Sequence, residues 1–159
     1  MEIIIVRHAK SAHDYTRWPT DSVRPLSDIG IRRQNKCSKG MYSKNISFNT
    51  IWVSPFTRAL QTLEIIQNNY HTDITPIIKN SLEVWGEPSD VRQEIQDWYL
   101  ISPTDKLLIV GHNPNLSDLV YLLTKQTLYL KTSEVVQISY NGEYFLFKNH
   151  LTRSQLYLY

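Results

Sequence analysis

With 159 residues, 42% of them hydrophobic and 20% charged, the chain has material for one sizeable core and is read as a single domain over residues 1–159. A net charge of +2 is too mild to call for nucleic acid, and the first apolar run is far too short for a membrane span or a signal-peptide core. The single cysteine, Cys37, excludes an internal disulfide and a cysteine-based metal site, so a cytoplasmic protein with no membrane partner is expected.

Glu2 to Val6 is apolar and β-branched without alternation, which predicts a strand buried on both faces. Ser27 to Lys44 begins at an N-cap residue and spaces Ile29, Cys37 and Met41 for a helix. Thr50 to Val53 repeats the buried-strand texture, and Thr57 to Tyr70 sets Leu60, Leu63, Ile66 and Tyr70 on one helical face. A short strand is expected at Thr75 to Lys79 and a helix at Ser89 to Leu100, with Val91, Ile95 and Trp98 inward. Lys106 to Val110 is the third buried strand, followed by a helix from Pro114 to Leu123 with proline in its first turn. Glu134 to Tyr140 and Tyr144 to Lys148 flank Asn141-Gly142, a two-residue hairpin signal, and Gln155 to Tyr159 reads as an edge strand. Together these elements predict an α/β fold with a mixed, mostly parallel sheet and helices on both faces.

Three buried strands exit into polar or cationic residues: Arg7-His8, Ser54 to Arg58, and Gly111 to Pro114. In open α/β sheets ligands bind beyond the carboxyl ends of the strands, so the three exits can converge on one site, and two of them run into helix N-termini that favour an anion. Arginine's planar fork suits phosphate, and two arginines need an anion between them. A histidine among such cations is kept neutral by like charge, which makes His8 a credible nucleophile. His112 is the second histidine, able to donate to a phosphoryl oxygen once a dianion has bound and protonated it.

These residues resemble the histidine phosphatase superfamily, with its phosphoglycerate mutase-like fold, and within it the small SixA-type phosphohistidine phosphatase branch. The resemblance rests on Val6-Arg7-His8-Ala9-Lys10-Ser11, on Asp21-Ser22-Val23-Arg24-Pro25-Leu26-Ser27 with Gly30, on Val53 to Thr62, and on Val110-Gly111-His112-Asn113-Pro114. It implies that His8 attacks phosphorus to form a phosphohistidine enzyme, which water then hydrolyses. Arg7, Arg58 and His112 would hold the transferred group, Arg24 and Asn113 would help bind substrate, and no metal or other cofactor is implied. Ala9 stands where many members have glycine, a mild change. Larger members carry a general acid on a long insertion for which this chain has no room, so Glu83, Glu87 and Asp21 are the remaining candidates. A phosphoramidate needs no acid aimed at its bridging atom, because the far imidazole nitrogen takes a proton from solvent. The resemblance therefore implies a phosphorylated protein carrying phosphohistidine as substrate. A small phosphorylated metabolite is the alternative within the class, and a non-catalytic phosphate- or phosphoprotein-binding module is the alternative outside it.

Overall fold

The computed structural model describes residues 1–14 and 16–157. Strands β1 (Glu2–Arg7), β2 (Thr50–Val53), β3 (Ile77–Ile78) and β4 (Lys106–Gly111) lie parallel, and β5 (Val135–Tyr140) and β6 (Phe145–Leu151) continue the sheet antiparallel. The order across the sheet is β3-β2-β4-β1-β5-β6, so the mixed sheet expected from the sequence is present.

The helices are α1 (Asp28–Ser43), α2 (Thr57–Tyr70), α3 (Pro88–Ile101), α4 (Asn115–Thr124) and α5 (Arg153–Tyr157). Side chains alternate along a strand, so a continuous apolar run feeds two cores at once. Ile3, Ile5, Leu107 and Ile109 pack with Val91 and Ile95 of α3 and Leu116 and Leu119 of α4. Ile4, Val6, Leu108 and Val110 face the other way, onto Cys37 and Met41 of α1, Leu63 and Ile66 of α2, and Leu156 of α5. Each fully buried aliphatic side chain of this kind contributes about 1.5–3 kcal/mol relative to exposure. Burial also pushes the Cys37 thiol up to about 12, so it is packing material rather than a reactive group.

Several local expectations need correction. Ser27 does cap α1, its Oγ accepting from Gly30 N at 3.1 Å. Ile29, however, points outward at 42% exposure, and the buried face is Gly30, Gln34, Cys37, Ser38, Gly40 and Met41. That face is small because α1 is pressed against backbone: a Cβ on Gly40 would meet the Leu156 carbonyl. Leu60 of α2 is likewise turned out, and Trp98 is only partly buried, its indole donating to Asp105 at 2.8 Å. Pro114 is the N-cap of α4 rather than a first-turn residue, and its bond to Asn113 is cis. The strand expected at Thr75 to Lys79 shrinks to Ile77–Ile78. The hairpin loop is four residues, because Asn141 Oδ1 accepts from the N–H groups of Glu143 and Tyr144 and widens the turn, with Gly142 at φ +95°. Gln155 to Tyr157 belongs to α5 and not to an edge strand; the rest of that expected strand, residues 158–159, lies outside the described residues.

Candidate active site

β2, β4 and β1 are neighbours in the sheet, so their carboxyl ends carry Ser54, His112 and Arg7-His8 to one place. The chain leaves β1 held on both sides: His8 N donates to Gly111 O at 2.9 Å, and Ser133 N donates to Arg7 O at 3.0 Å. Ala9 N donates to Thr62 Oγ1 at 3.0 Å, and that hydroxyl donates to Arg58 O at 2.7 Å, which fastens the turn to α2. A cleft of about 280 Å³ opens here, lined by Arg7, His8, Lys10, Ser11, His13, Arg24, Arg58, Asn113 and Thr132.

His8 Nδ1 lies 2.7 Å from the Ala9 carbonyl oxygen. A carbonyl only accepts, so Nδ1 carries the hydrogen and Nε2 carries the free lone pair. Burial, then the nearby His112, hold this imidazole well below its ordinary range; the Ala9 carbonyl pulls upward by more than either arginine, and Arg58 and Arg7 add smaller downward pushes. The ring is therefore neutral and nucleophilic at pH 7. Its centroid is 5.0 Å from that of His112, which burial and Arg58 push down to about 3, only partly opposed by Asp21. His112 Nε2 lies 2.8 Å from Ser54 Oγ, and Phe56 packs edge-on to the His112 ring at 5.1 Å. The protonated His112 expected with a dianion bound is thus not the state of the free site.

Arg7 Nη1 donates to Leu130 O at 3.1 Å and to Tyr129 OH at 3.4 Å, and its guanidinium lies 5.8 Å from the Tyr129 ring centroid. Its Nε is buried with no hydrogen-bond partner among the described residues, a donor suited to an incoming oxyanion. Arg58 and Arg24 share an anion already present in the fold. Arg58 Nη1 and Nη2 donate to Asp21 O and Oδ2 at 2.9 and 3.0 Å, while Arg24 Nε and Nη2 donate to Asp21 Oδ1 at 3.1 and 2.9 Å. Arg24 Nη1 also reaches Ser11 Oγ and the Ala12 carbonyl, so much of this guanidinium is spent on tying Asp21 to Ser11 and Ala12, beside the antiparallel bridge of Ser11 with Leu26.

The structure sorts the remaining sequence candidates. Asp21 is in the site, yet although partial burial favours its neutral form, the hydrogen bonds and charges of Arg24 and Arg58 prevail and hold it below the usual carboxylate range. An ionised carboxylate has no proton to give, so it is a poor general acid in the free site. Glu83 accepts from the Trp85 indole at 2.9 Å and does not line the cleft. Glu87 lines a separate groove of about 560 Å³ between α3 and α4. Asn113 reaches the cleft, but its amide is engaged: Nδ2 donates to Leu130 O at 2.8 Å, and Oδ1 accepts from Ser117 N and Oγ at 3.1 and 3.0 Å. It is tied to α4 and to the segment that carries Leu130. Tyr129, Thr132, His13 and Ser54 were not singled out as site residues in the sequence. Ser54 was recoverable from its position at a strand exit; Tyr129 and Thr132 sit in a connecting segment without any motif. Among the described residues no cluster of His, Cys, Asp or Glu is placed to hold a metal ion, and no helix is long and apolar enough to cross a membrane.

A model of the histidine phosphatase superfamily (branch 1) matches residues 3–106. Phosphohistidine phosphatase SixA of Escherichia coli is 36% identical over 64 residues, covering 40% of this chain and 38% of that protein. Fructose-2,6-bisphosphatase TIGAR B of Danio rerio is 35% identical over 83 residues, covering 50% of this chain and 32% of that one. The chain therefore aligns with well under half the length of these two relatives. Among solved structures, the protein histidine phosphatase SixA complexed with tungstate superposes with a TM-score of 0.90 at 24% identity, over 98% of this chain and 99% of that chain. A phosphoglycerate mutase from Bacillus anthracis superposes with a TM-score of 0.79 at 12% identity, over 98% and 94%, so the fold is phosphoglycerate mutase-like.

Proposed function

We propose that this chain, which belongs to the histidine phosphatase superfamily and is a hydrolytic phosphatase, works through a covalent phosphohistidine on His8 and acts on protein phosphohistidine. The observation that carries the reading is the His8 ring: its Nδ1–H is committed to the Ala9 carbonyl, which leaves the Nε2 lone pair next to Arg7, Arg58 and His112. Nε2 attacks phosphorus, the bond from phosphorus to the leaving atom breaks, and the leaving atom keeps the electron pair. Arg7 and Arg58 neutralise the equatorial oxygens and His112 donates to one of them, which is where charge gathers in phosphoryl transfer. Water then attacks the phosphoenzyme, and inorganic phosphate leaves with the His8 lone pair restored.

The substrate follows from proton supply. Asp21 is held ionised, and Glu83 and Glu87 are turned to Trp85 and to the separate groove, so no acid stands ready for an alkoxide. An imidazole leaving group protonated at its far nitrogen by solvent departs neutral without one. The small open cleft, with Lys10 and His13 in its lining and Tyr129 bonded to Arg7 beside it, suits a phosphorylated side chain displayed on a protein. A metabolite phosphatase is the second reading, favoured by the match to the bisphosphatase over half of this chain. The test compares turnover of a phosphohistidine protein, a small phosphoramidate and a panel of phosphate monoesters by wild type and His8→Ala, with phosphoenzyme trapped under an acid-free quench. The reading expects His8-dependent labelling and preference for the N–P substrates. Preference for one monoester would install the second reading, and absence of labelling with every donor would point to a binding module.

A further inference from the structure

We propose that Ser54 is a positioning residue for His112: its hydroxyl donates to Nε2, which places the ring hydrogen on Nδ1 as the donor offered to the phosphoryl group. The inference rests on the reading of His112 as a phosphoryl-holding group and deepens it. Ser54 has no exposed surface, and its backbone N–H is bound to Val110 O at 3.1 Å, on the strand that leads to His112. A serine hydroxyl has one hydrogen and two acceptor positions. One acceptor position is filled by the Phe56 N–H at 3.2 Å, and among the described residues the other hydrogen-bond partner of Ser54 Oγ is His112 Nε2 at 2.8 Å.

Two arrangements satisfy that 2.8 Å contact, and they differ in what they leave over. If Nε2 carried the hydrogen, the serine oxygen would accept from both Phe56 and His112, and its own hydrogen would be buried with no acceptor. The second ring nitrogen would then present a bare lone pair to an anionic substrate. If Ser54 donates, both of its contacts are satisfied and the ring hydrogen must sit on Nδ1. His112 Nδ1 is buried and has no hydrogen-bond partner among the described residues, which is what a donor reserved for a ligand looks like. The ring is held in this orientation by Phe56 at 5.1 Å and lies 5.0 Å from the His8 ring, so Nδ1–H belongs to the nucleophile's surroundings. A neutral His112, with burial pressing it down to about 3, can therefore donate to a phosphoryl oxygen without first being protonated. Should a dianion protonate it, the serine hydrogen can rotate away and the oxygen can accept from Nε2–H instead.

The experiment is a long-range 1H–15N correlation spectrum of the full chain labelled with 15N-histidine, with the His112 signals assigned by its loss in His112→Asn. Wild type at pH 7 is expected to show a protonated, pyrrole-like Nδ1 and a pyridine-like Nε2, and inorganic phosphate should move the Nδ1–H resonance. Ser54→Thr, which keeps the hydroxyl, should preserve that pattern and most of kcat. Ser54→Ala should mix or invert the tautomers and lower kcat roughly tenfold to a hundredfold with little change in KM, as loss of a ligand-orienting partner does. A wild-type ring protonated on Nε2 overturns the proposal, as does an Nδ1–H resonance indifferent to phosphate, or a folded Ser54→Ala with wild-type shifts and rate. If Ser54→Ala does not fold, the wild-type and Ser54→Thr spectra decide the matter. Failure of the functional reading is separate: it would appear as missing His8 phosphoenzyme, whatever the tautomer of His112.

Discussion

Thr62→Val tests how the turn bearing His8, the proposed nucleophile, is fixed. The substitution keeps the shape of a side chain with no exposed surface and exchanges its hydroxyl for a methyl group of similar size, so no cavity is made. Two hydrogen bonds are lost, but they differ in consequence. The Arg58 carbonyl keeps its place in the α2 ladder, whereas the Ala9 N–H is left buried without an acceptor. An orphaned buried donor costs about 1–3 kcal/mol, and the extra buried methyl returns part of it, so a net loss of about 2 kcal/mol is expected. For a domain of this size that is a fall of about 4–8 °C in Tm. Urea titration should show a lower midpoint with an unchanged slope, because the surface exposed on unfolding is the same. Since the Ala9 carbonyl orients His8, kcat should fall as well, and Thr62→Ser should recover the rate though not all of the stability. A stability within about 0.5 kcal/mol of wild type together with an unchanged rate would refute the idea that this hydroxyl fastens the turn.

Stability should decline as pH falls below about 6.5. His8 and His112 are depressed in the folded chain, so the unfolded chain binds protons first, and each histidine can remove up to about 1.4 kcal/mol per pH unit, for His112 down to about pH 3. Urea midpoints at pH 7, 6 and 5 check this; equal midpoints would contradict it, and saturating inorganic phosphate should soften the decline. Asp21→Asn removes the carboxylate between Arg24 and Arg58, so inorganic phosphate should inhibit several-fold more tightly; an unchanged inhibition constant would show that Asp21 does not compete for those guanidinium groups. Gly30→Ala would drive a Cβ into the Lys10 carbonyl, two residues past His8, and should cost about 1–3 kcal/mol with a loss of activity, read by thermal unfolding and phosphoenzyme yield.

What the sequence disclosed about this molecule was set by which physical signal dominated locally. The central strands were legible because β1 and β4 are buried on both faces and so read as unbroken apolar runs that stop at Arg7 and near His112. α1 was legible as a helix but not in its orientation: Ile29 suggested an apolar stripe, while the true inner face uses Gly40 for close contact with α5, a demand that periodicity does not express. At the C-terminal end, alternating Leu and Tyr look like a strand, but Leu156 is buried in the α1 and α2 core from a short helix. Asn141-Gly142 indicated the correct reversal and the wrong loop length, because the side chain of Asn141 competes for the turn's N–H groups. Asp21 shows the limit most clearly. Its place in the site could be guessed from its motif, but its charge state depends on Arg24 and Arg58 closing around it, which only the tertiary arrangement provides.

The central strand of the sheet also governs when the site can exist during synthesis. Ile5 of β1 pairs with Ile109 on one side and Val136 on the other, and not with its nearest strand in sequence, β2. Both neighbours are translated about a hundred residues later, which at usual elongation rates leaves several seconds or more in which β1 has neither edge paired. Nascent chains shorter than β4 therefore present an unpaired Ile-rich strand, the kind of segment that chaperones hold and that associates with other chains. The exits of β1 and β4 bring the two histidines together, and α4 and β5 complete the core and the second pairing of β1, so catalytic competence should arrive abruptly once β5 has been made rather than grow with chain length.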